Sequence, residues 1–136
     1  MTSGYSGKPL ASKMGIKSGQ RIIILHAPEG YEATLSASLD GVEVTHDLKH
    51  SPFDIIQYFA LSRSAYERDF PLLRDALTTA GMLWVSWPKK AAKMETDLDE
   101  NFIREFGLAN GLVDVKVIAV DERWSGLKFV RRLKDR

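Results

Sequence analysis

The sequence predicts a three-layer α/β fold, with a mainly parallel sheet, helices on both faces and a C-terminal antiparallel β-hairpin. Runs of large aliphatic and aromatic residues alternate with segments of helical spacing, as in parallel sheets that are buried on both faces. The chain ends in two runs of alternating apolar and polar residues, separated by an acidic turn. This pattern is typical of a β-hairpin with one solvent-exposed face. Its 136 residues, 44% hydrophobic and 27% charged, are typical of one globular domain, residues 1–136.

The first predicted strand spans residues 19–25 and ends in four consecutive large aliphatic side chains. It leads into the loop 26–31, and open α/β sheets bind their ligands in loops at this end of the strands. A phosphate cradle needs glycines whose N–H groups approach the ligand, whereas Pro28 has no N–H group and His26 is bulky. The loop therefore has the position of a binding site without the usual composition of one.

The segments on either side of this strand are expected to be less regular. Residues 1–7 are rich in Gly, Ser and Thr and should form a loose arm, and Pro9 should begin a short helix over residues 10–14. After the loop, the pattern predicts a weak helix over residues 31–39, a short strand over 42–45, a polar loop over 46–52 and a strand over 53–59.

The central helix is predicted to open at a capping box, Ser64-Ala65-Tyr66-Glu67, and to end at Gly81. Pro71 either kinks this helix or begins a second one, because a proline removes one backbone hydrogen bond. A buried strand over residues 82–87 follows. The helical spacing is carried by Tyr66, Phe70, Leu73 and Leu77.

A further helix and the hairpin complete the chain. Thr96 or Asp97 can cap the helix, which follows a basic loop over residues 89–94. The hairpin turns at residues 121–123, and residues 134–136 should form a frayed basic tail. The apolar faces are Phe102, Ile103, Phe106 and Ala109 in the helix, and Val113, Val115, Val117 and Ala119 in the first hairpin strand, opposite Asp114 and Lys116.

Charge and composition restrict the class of function. The chain has 19 Lys and Arg against 18 Asp and Glu, so nothing indicates nucleic acid as a general partner. It has no cysteine, which excludes disulfides, thiolate metal sites and a cysteine nucleophile. Because no run resembles a signal peptide or a membrane span, a cytoplasmic protein without a membrane partner is expected. Exposed hairpin edges often pair, which favours a homodimer or another protein partner.

Three parts of the chain match the pattern of one enzyme family. Residues 16–25 are similar to its lead-in and first strand, residues 53–56 through 77–85 to its fourth strand, helix and Gly-started fifth strand, and the terminal hairpin to its sixth and seventh strands. In these parts the chain resembles class I S-adenosylmethionine-dependent methyltransferases. The resemblance covers nearly the whole chain and implies a Rossmann-like, methyltransferase-like fold.

The chain departs from that family in the cofactor motif. An acidic residue in the first strand and two spaced glycines are replaced by Ile24, His26 and Pro28, and only Gly30 is kept. Asp47, after the second strand, could stand where the family has its ribose-binding acid. The resemblance therefore leaves S-adenosylmethionine open as a cofactor, although its glycine motif is absent.

Four motifs carry a second, closer resemblance that covers most of the chain. They are Ser6-Gly7-Lys8-Pro9-Leu10, Ala27-Pro28-Glu29-Gly30-Tyr31, Trp84-Val85-Ser86-Trp87-Pro88-Lys89-Lys90 and Trp124-Ser125-Gly126-Leu127-Lys128. In these motifs the chain is similar to a family of small bacterial proteins known only as a domain of unknown function. This second resemblance implies no activity.

Three loops should emerge at one edge of the predicted sheet: residues 26–31, residues 86–90 and part of residues 46–52. Such an edge could offer acid–base groups, an anion contact and aromatic stacking surfaces. A simpler interpretation is that the prolines stop strands, the tryptophan packs in the core and the lysines are solvated. The candidate cofactor-binding residues are His26, Pro28, Glu29, Gly30, Tyr31, Asp47, Ser86, Trp87, Lys89 and Lys90.

No metal site and no hydrolase are predicted. His46, Asp47 and His50 carry metal-binding groups, but the segment does not resemble a helix and Pro52 follows it, so a solvated loop is expected. Ser86 lacks the glycines of a nucleophile elbow.

Two functions fit this sequence, and neither assigns a catalytic residue. The first is a degenerate, non-catalytic methyltransferase-like domain that binds a small ligand or a protein at this edge, because the loop has lost its glycines. The second is a methyltransferase, or another small-ligand enzyme, whose loop reaches the cofactor differently, with Glu29, Asp47 and Ser86 near it.

Overall fold

The computed structural model describes residues 9–136, with the backbone alone of Ser36 and Ala37, so the predicted arm at residues 1–7 lies outside the described part. Three helices and six strands are present in these residues. They are, in chain order, α1 Leu10–Met14, β1 Arg21–Leu25, β2 Glu43–Thr45, β3 Phe53–Phe59, α2 Arg63–Asp75, β4 Leu77–Pro88, α3 Glu100–Ala109, β5 Leu112–Ala119 and β6 Trp124–Arg131.

All six strands form one sheet in the order β2-β1-β3-β4-β6-β5. The first four strands are parallel, and Ile23 of β1 lies beside Ile56 of β3, which lies beside Leu83 of β4. Strand β6 runs antiparallel to β4, and β5 runs antiparallel to β6 at the edge. The predicted mainly parallel sheet with a C-terminal antiparallel hairpin is therefore confirmed.

Helices cover both faces of this sheet, as the sequence predicts. On one face, termed the α2–α3 face, Ile23, Ile56 and Phe129 belong to the same buried cluster as residues of α2 and α3. On the other, termed the α1 face, α1 packs with Trp84, whose indole N–H donates to the Met14 carbonyl over 3.1 Å. No helix among residues 9–136 has the length and hydrophobicity that a membrane span would need.

The bounds of α2 differ from the prediction at both ends. Ser62 caps the helix by accepting a hydrogen bond from the Ala65 N–H over 3.2 Å, so the predicted capping box at Ser64 is wrong. Pro71 lies inside the helix, which ends at Asp75. Leu77 was expected on the helix but begins β4, because its spacing fits either element.

Two other local predictions are also corrected. Asp99 caps α3 by accepting from the Phe102 N–H over 2.8 Å, whereas Thr96 donates to the Leu61 carbonyl and Asp97 accepts from Arg63. The weak helix expected over residues 31–39 is instead a pair of 3-10 turns, Glu32–Thr34 and Ser36–Leu39.

The hairpin contains a β-bulge that the alternating sequence does not reveal. Asp114 lies opposite Phe129 and Lys116 lies opposite Lys128, so Val115 is an extra residue between two paired positions. The bulge changes the face to which the later residues point. The prediction that Val113, Val115 and Val117 share one face is therefore wrong, and Val115 is 50% exposed.

The basic end of the chain is built into the fold through backbone carbonyls. Arg131 donates two hydrogen bonds of 2.9 Å, to the carbonyls of Arg74 and Leu77, and so joins the end of α2 to the start of β4. Where a frayed tail was expected, the structure has a 3-10 turn over Leu133–Asp135, and Arg136 donates to the Arg131 carbonyl over 3.0 Å.

Candidate functional site

The loops after β1, β2 and β4 emerge at the carboxyl edge of the parallel strands, as their common direction requires. The first two of these loops are joined by a hydrogen bond of 2.6 Å between the His46 ring and the Glu32 carboxylate. The loop that follows β3 is held to β4 by the Ala60 N–H, which donates to the Ser86 carbonyl over 2.9 Å. Open α/β folds bind ligands at this edge, so we take it as the candidate site.

The loop after β1 turns sharply and folds back on the sheet. His26 has a φ of 60°, a left-handed conformation that is uncommon for a residue with a side chain, and Gly30 has a φ of 85°. The Tyr31 N–H donates to the Pro28 carbonyl over 3.1 Å, which closes the turn. His26, Glu29 and Gly30 are exposed at its tip, whereas Tyr31 is buried.

Tyr31 was predicted as a stacking surface of a pocket, but its ring lies in the core of the α1 face, edge-on to Phe59. Its hydroxyl accepts a 2.8 Å hydrogen bond from the Gln57 amide, and the Gln57 carbonyl oxygen accepts a 3.1 Å bond from the Ser86 hydroxyl. Burial raises the pKa of Tyr31 to about 12, against the opposing effect of the bond from Gln57. Tyr31 and Ser86 are thus brought together, through a residue that the sequence analysis did not select.

Asp47 makes its contacts within its own turn. Its carboxylate accepts from the Lys49 N–H over 3.0 Å and pairs with the Lys49 ammonium at 3.5 Å. That backbone hydrogen bond is the main cause that lowers the pKa of Asp47. The carboxylate is exposed, and both of these contacts lie within its own segment rather than with the loop after β1.

The predicted residues after β4 separate into a buried and an exposed group. Trp87 is buried in the core of the α2–α3 face, and Pro88 is the last residue of β4. The Lys89 N–H donates to the Arg123 carbonyl over 2.8 Å, which holds the loop after β4 to the hairpin turn. Lys90 is exposed, at the start of a 3-10 turn over Lys90–Ala92.

A cleft of about 110 Å³ opens beside His26 on the α2–α3 face. Its polar corner is formed by the Tyr58 hydroxyl, which donates to Asp69 over 2.7 Å. Although burial acts in the opposite direction, hydrogen bonds from Arg68 and Tyr58 hold the pKa of Asp69 below its usual value. The cleft is lined by Leu25, His26, Leu48, Tyr58, Asp69, Leu72 and Leu73.

Tyr58 and Asp69 were not among the site residues predicted from the sequence. One lies on a strand and the other on a helix, and no short motif links them. The volume of this cleft is well below the roughly 300–1,000 Å³ of a pocket for a drug-sized ligand, so it admits a small group but no nucleoside. The His26 ring lies 5.6 Å from the Tyr58 ring, between the cleft and the loop.

The predicted edge presents exposed polar side chains to a ligand, rather than a row of backbone N–H groups. His26, Glu29 and Lys90 point into solvent, whereas Tyr31, Asp47 and Ser86 have internal hydrogen-bond partners. Among residues 9–136 no group of three acidic or histidine side chains is placed to hold a metal ion.

Several solved structures that are similar to this chain are methyltransferases. A TehB-like SAM-dependent methyltransferase from Corynebacterium glutamicum matches with a TM-score of 0.57 and 12% identity, over 96% of this chain and 91% of that one. A complex of DhpI with SAH matches with a TM-score of 0.58 and 13% identity, over 92% and 83%. A ribosomal protein L11 methylase from Lactobacillus delbrueckii subsp. bulgaricus matches with a TM-score of 0.55 and 14% identity, over 90% and 75%.

These similarities establish the fold. The chain has a methyltransferase-like Rossmann fold, as the first resemblance implies. No protein-family model and no curated protein matches the chain, so the resemblance to a bacterial domain of unknown function has no support from these comparisons. At such low identity the shared fold does not carry an activity with it.

Proposed function

We propose that this protein is a methyltransferase-like binding module that carries out no methyl transfer. It binds a small ligand or a protein at the carboxyl edge of its parallel strands. The observation that carries the proposal is the burial of Tyr31 in the loop that would have to cradle a cofactor.

Tyr31 fixes the loop after β1 to the sheet. Its ring packs against Phe59, its hydroxyl accepts from Gln57, and its relative exposure is 5%. Pro28 supplies no N–H group, and the Tyr31 N–H is used inside the turn. A loop anchored in this way is restricted in how far its backbone can move towards the carboxylate or the ribose of S-adenosylmethionine.

The neighbouring polar groups are also engaged. A hydrogen bond between Glu32 and His46 bridges the loops after β1 and β2. Asp47, which could stand where the family has its ribose-binding acid, holds Lys49. Ser86 donates to Gln57 inside the core. These contacts support a rigid edge that presents His26, Glu29 and Lys90 to a partner.

Thermal unfolding tests this proposal. The protein is heated with and without S-adenosylmethionine and S-adenosylhomocysteine, with ATP and NAD as controls. A ligand at about one hundred times its Kd stabilises a protein by roughly 2.7 kcal/mol, which is several degrees for a domain of this size. We expect the same midpoint in all five samples. A shift that only the two methionine nucleosides produce would refute the argument that the anchored loop excludes the cofactor, and with it the basis of this proposal.

A second candidate is a methyltransferase with an atypical cofactor loop. It is favoured by the similar DhpI structure, which is a complex with SAH, and by the exposed His26 beside the cleft, with the exposed Glu29 in the same loop. The selective thermal shift would support this candidate. Mutation of Glu29 and Asp47 to the corresponding amides would then have to remove that shift.

A further inference from the structure

We propose that the hairpin β5–β6 docks an acidic amphipathic segment of a partner protein on its α1 face. This surface, termed the lysine face, consists of Val113, Lys116 and Ile118 of β5 and of Lys128 and Val130 of β6. It is distinct from the carboxyl edge, and it does not depend on the function proposed above.

The bulge at Val115 creates the lysine face. Val113 lies opposite Val130 and Lys116 lies opposite Lys128, and directly paired residues of antiparallel strands share one face. Lys128 also lies beside Trp84, whose indole packs on the α1 face, so the pairs point to that side. Without the extra residue, Lys116 would lie on the opposite face from Val113.

The two lysines form a like-charge pair. Directly opposite residues have Cβ atoms about 4.5–5.5 Å apart, and like charges at that spacing destabilise a sheet. Lys128 is only partly exposed, and burial, followed by the charge of Lys116, lowers its pKa. The repulsion between the two charges does not stabilise the fold.

These lysines have no acidic partner in the part of the chain that the structure describes. Within the described residues, no carboxylate is hydrogen-bonded to or ion-paired with Lys116 or Lys128. The preceding residues 1–8 contain neither Asp nor Glu. Asp114 is close in sequence but lies on the other face, where it pairs with Arg104 at 2.9 Å. The two ammonium groups are therefore available to the carboxylates of an anionic partner, which would replace solvent ions as their countercharge.

The apolar residues of the lysine face indicate the kind of partner. Val113, Ile118 and Val130 are half-buried, while α3 covers the other face of the hairpin, where Gly107 approaches Phe129 closely. Aliphatic side chains beside two ammonium groups complement a protein segment with both carboxylates and aliphatic groups. Nucleic acid is less well matched, because its backbone offers phosphates without aliphatic groups.

Fluorescence anisotropy with a labelled peptide tests the docking. The probe is a helical peptide with leucines on one face and glutamates on the other, beside a counterpart with glutamines for glutamates. The proteins are the wild type, the double variant Lys116→Gln/Lys128→Gln, and Lys93→Gln as a control for loss of an exposed lysine at the carboxyl edge. The full chain is used at about 50 mM and about 300 mM salt, because screening separates charge-driven binding from apolar binding.

We expect the wild type to bind the glutamate peptide and to lose affinity at the higher salt. The double variant should raise Kd at least about tenfold, and Lys93→Gln less than about twofold. Equal binding of the glutamine peptide, no binding by the wild type, or equal weakening in Lys93→Gln would overturn the proposal. So would tighter binding of single-stranded RNA or of phosphatidylserine vesicles with the same lysine dependence.

Folding provides a second readout. The double variant relieves repulsion, so its thermal midpoint should equal or exceed that of the wild type. A lower midpoint would mean that the lysines support the fold, and it would overturn the docking role.

Discussion

The side-chain amide of Gln57 donates to the hydroxyl of Tyr31 over 2.8 Å, and both residues are almost fully buried. The bond connects the loop after β1 to the middle of β3. It is therefore the contact on which the conformation of the candidate edge depends most directly.

The change Tyr31→Phe tests the strength of this contact. It leaves the Gln57 amide with only the Met14 sulfur, at 3.8 Å, as a partner. A buried donor without a good acceptor costs about 1–3 kcal/mol, so the free energy of unfolding in urea should fall by that amount. The double variant Tyr31→Phe/Gln57→Leu should lose less than the sum of the two single variants, since it removes both partners. Strictly additive losses would mean that the two residues act independently.

Alkaline pH should weaken the fold through the buried tyrosines. The pKa of Tyr31 is raised to about 12 by burial, and burial also raises the pKa values of Tyr58 and Tyr66. Between about pH 10 and pH 12 the unfolded chain loses these protons while the folded chain keeps them. The stabilisation that the buried tyrosines contribute is therefore complete below about pH 10, and it is lost progressively as the pH rises above that value. For Tyr31 alone it amounts to roughly 2–3 kcal/mol.

Urea unfolding at a series of alkaline pH values measures this effect. The variant Tyr31→Phe should show a shallower loss of stability than the wild type above about pH 10. Parallel curves for the two proteins would show that Tyr31 has an ordinary pKa in the folded state.

Restoring glycines to the loop should not create a cofactor site. In the variant His26→Gly/Pro28→Gly the Tyr31 anchor and the Glu32–His46 pair remain, so we expect S-adenosylmethionine to leave the thermal midpoint unchanged. Pro28→Gly alone is the control for the change in loop flexibility. A selective shift of several degrees in the double variant would show that loop composition, and not the anchor, withholds the cofactor.

The basic C-terminal end contributes to stability through geometry as well as charge. Both bonds, to the carbonyls of Arg74 and Leu77, come from one guanidinium nitrogen, and Arg131→Lys keeps the charge on a shorter side chain that does not reach the same position. The free energy of unfolding should fall by about 1–3 kcal/mol. Arg136→Lys is the matched control, because its single bond is exposed, and it should change stability by less than about 0.5 kcal/mol. If the two variants changed the free energy of unfolding equally, Arg131 would act through its charge alone.

The architecture could be predicted because each buried strand is an apolar run that a two-sided sheet must cover. The predicted strand over residues 53–59 has the bounds of β3. Element ends were predicted less well, because they depend on tertiary contacts. Ser62 and Ser64 are chemically equal caps, and the position where the chain leaves β3 selects between them. Leu77 fits helical and strand patterns alike.

The location of the candidate site could be predicted from the sequence, but the hydrogen bonds between its residues could not. Gln57 offered a signal, since an amide within a run of large apolar residues must find a buried partner. That its partners are Ser86 and Tyr31 follows only from the register of β3 and β4 and from the way the loop after β1 folds back on the sheet. Tyr58 and Asp69 left no such signal, because both also suit ordinary positions in a strand and a helix.

The bulge at Val115 also affects how the protein behaves in concentrated solution. Strand β5 is an outer strand with half-exposed valines, a pattern from which sheets grow into fibrils by adding the same strand of a second molecule. An extra residue at its centre breaks the regular spacing of free N–H and C=O groups, and Lys116 places a charge beside the break. The bulge that places two lysines on one face therefore also makes the open edge of the sheet a poorer partner for the same strand of a second molecule.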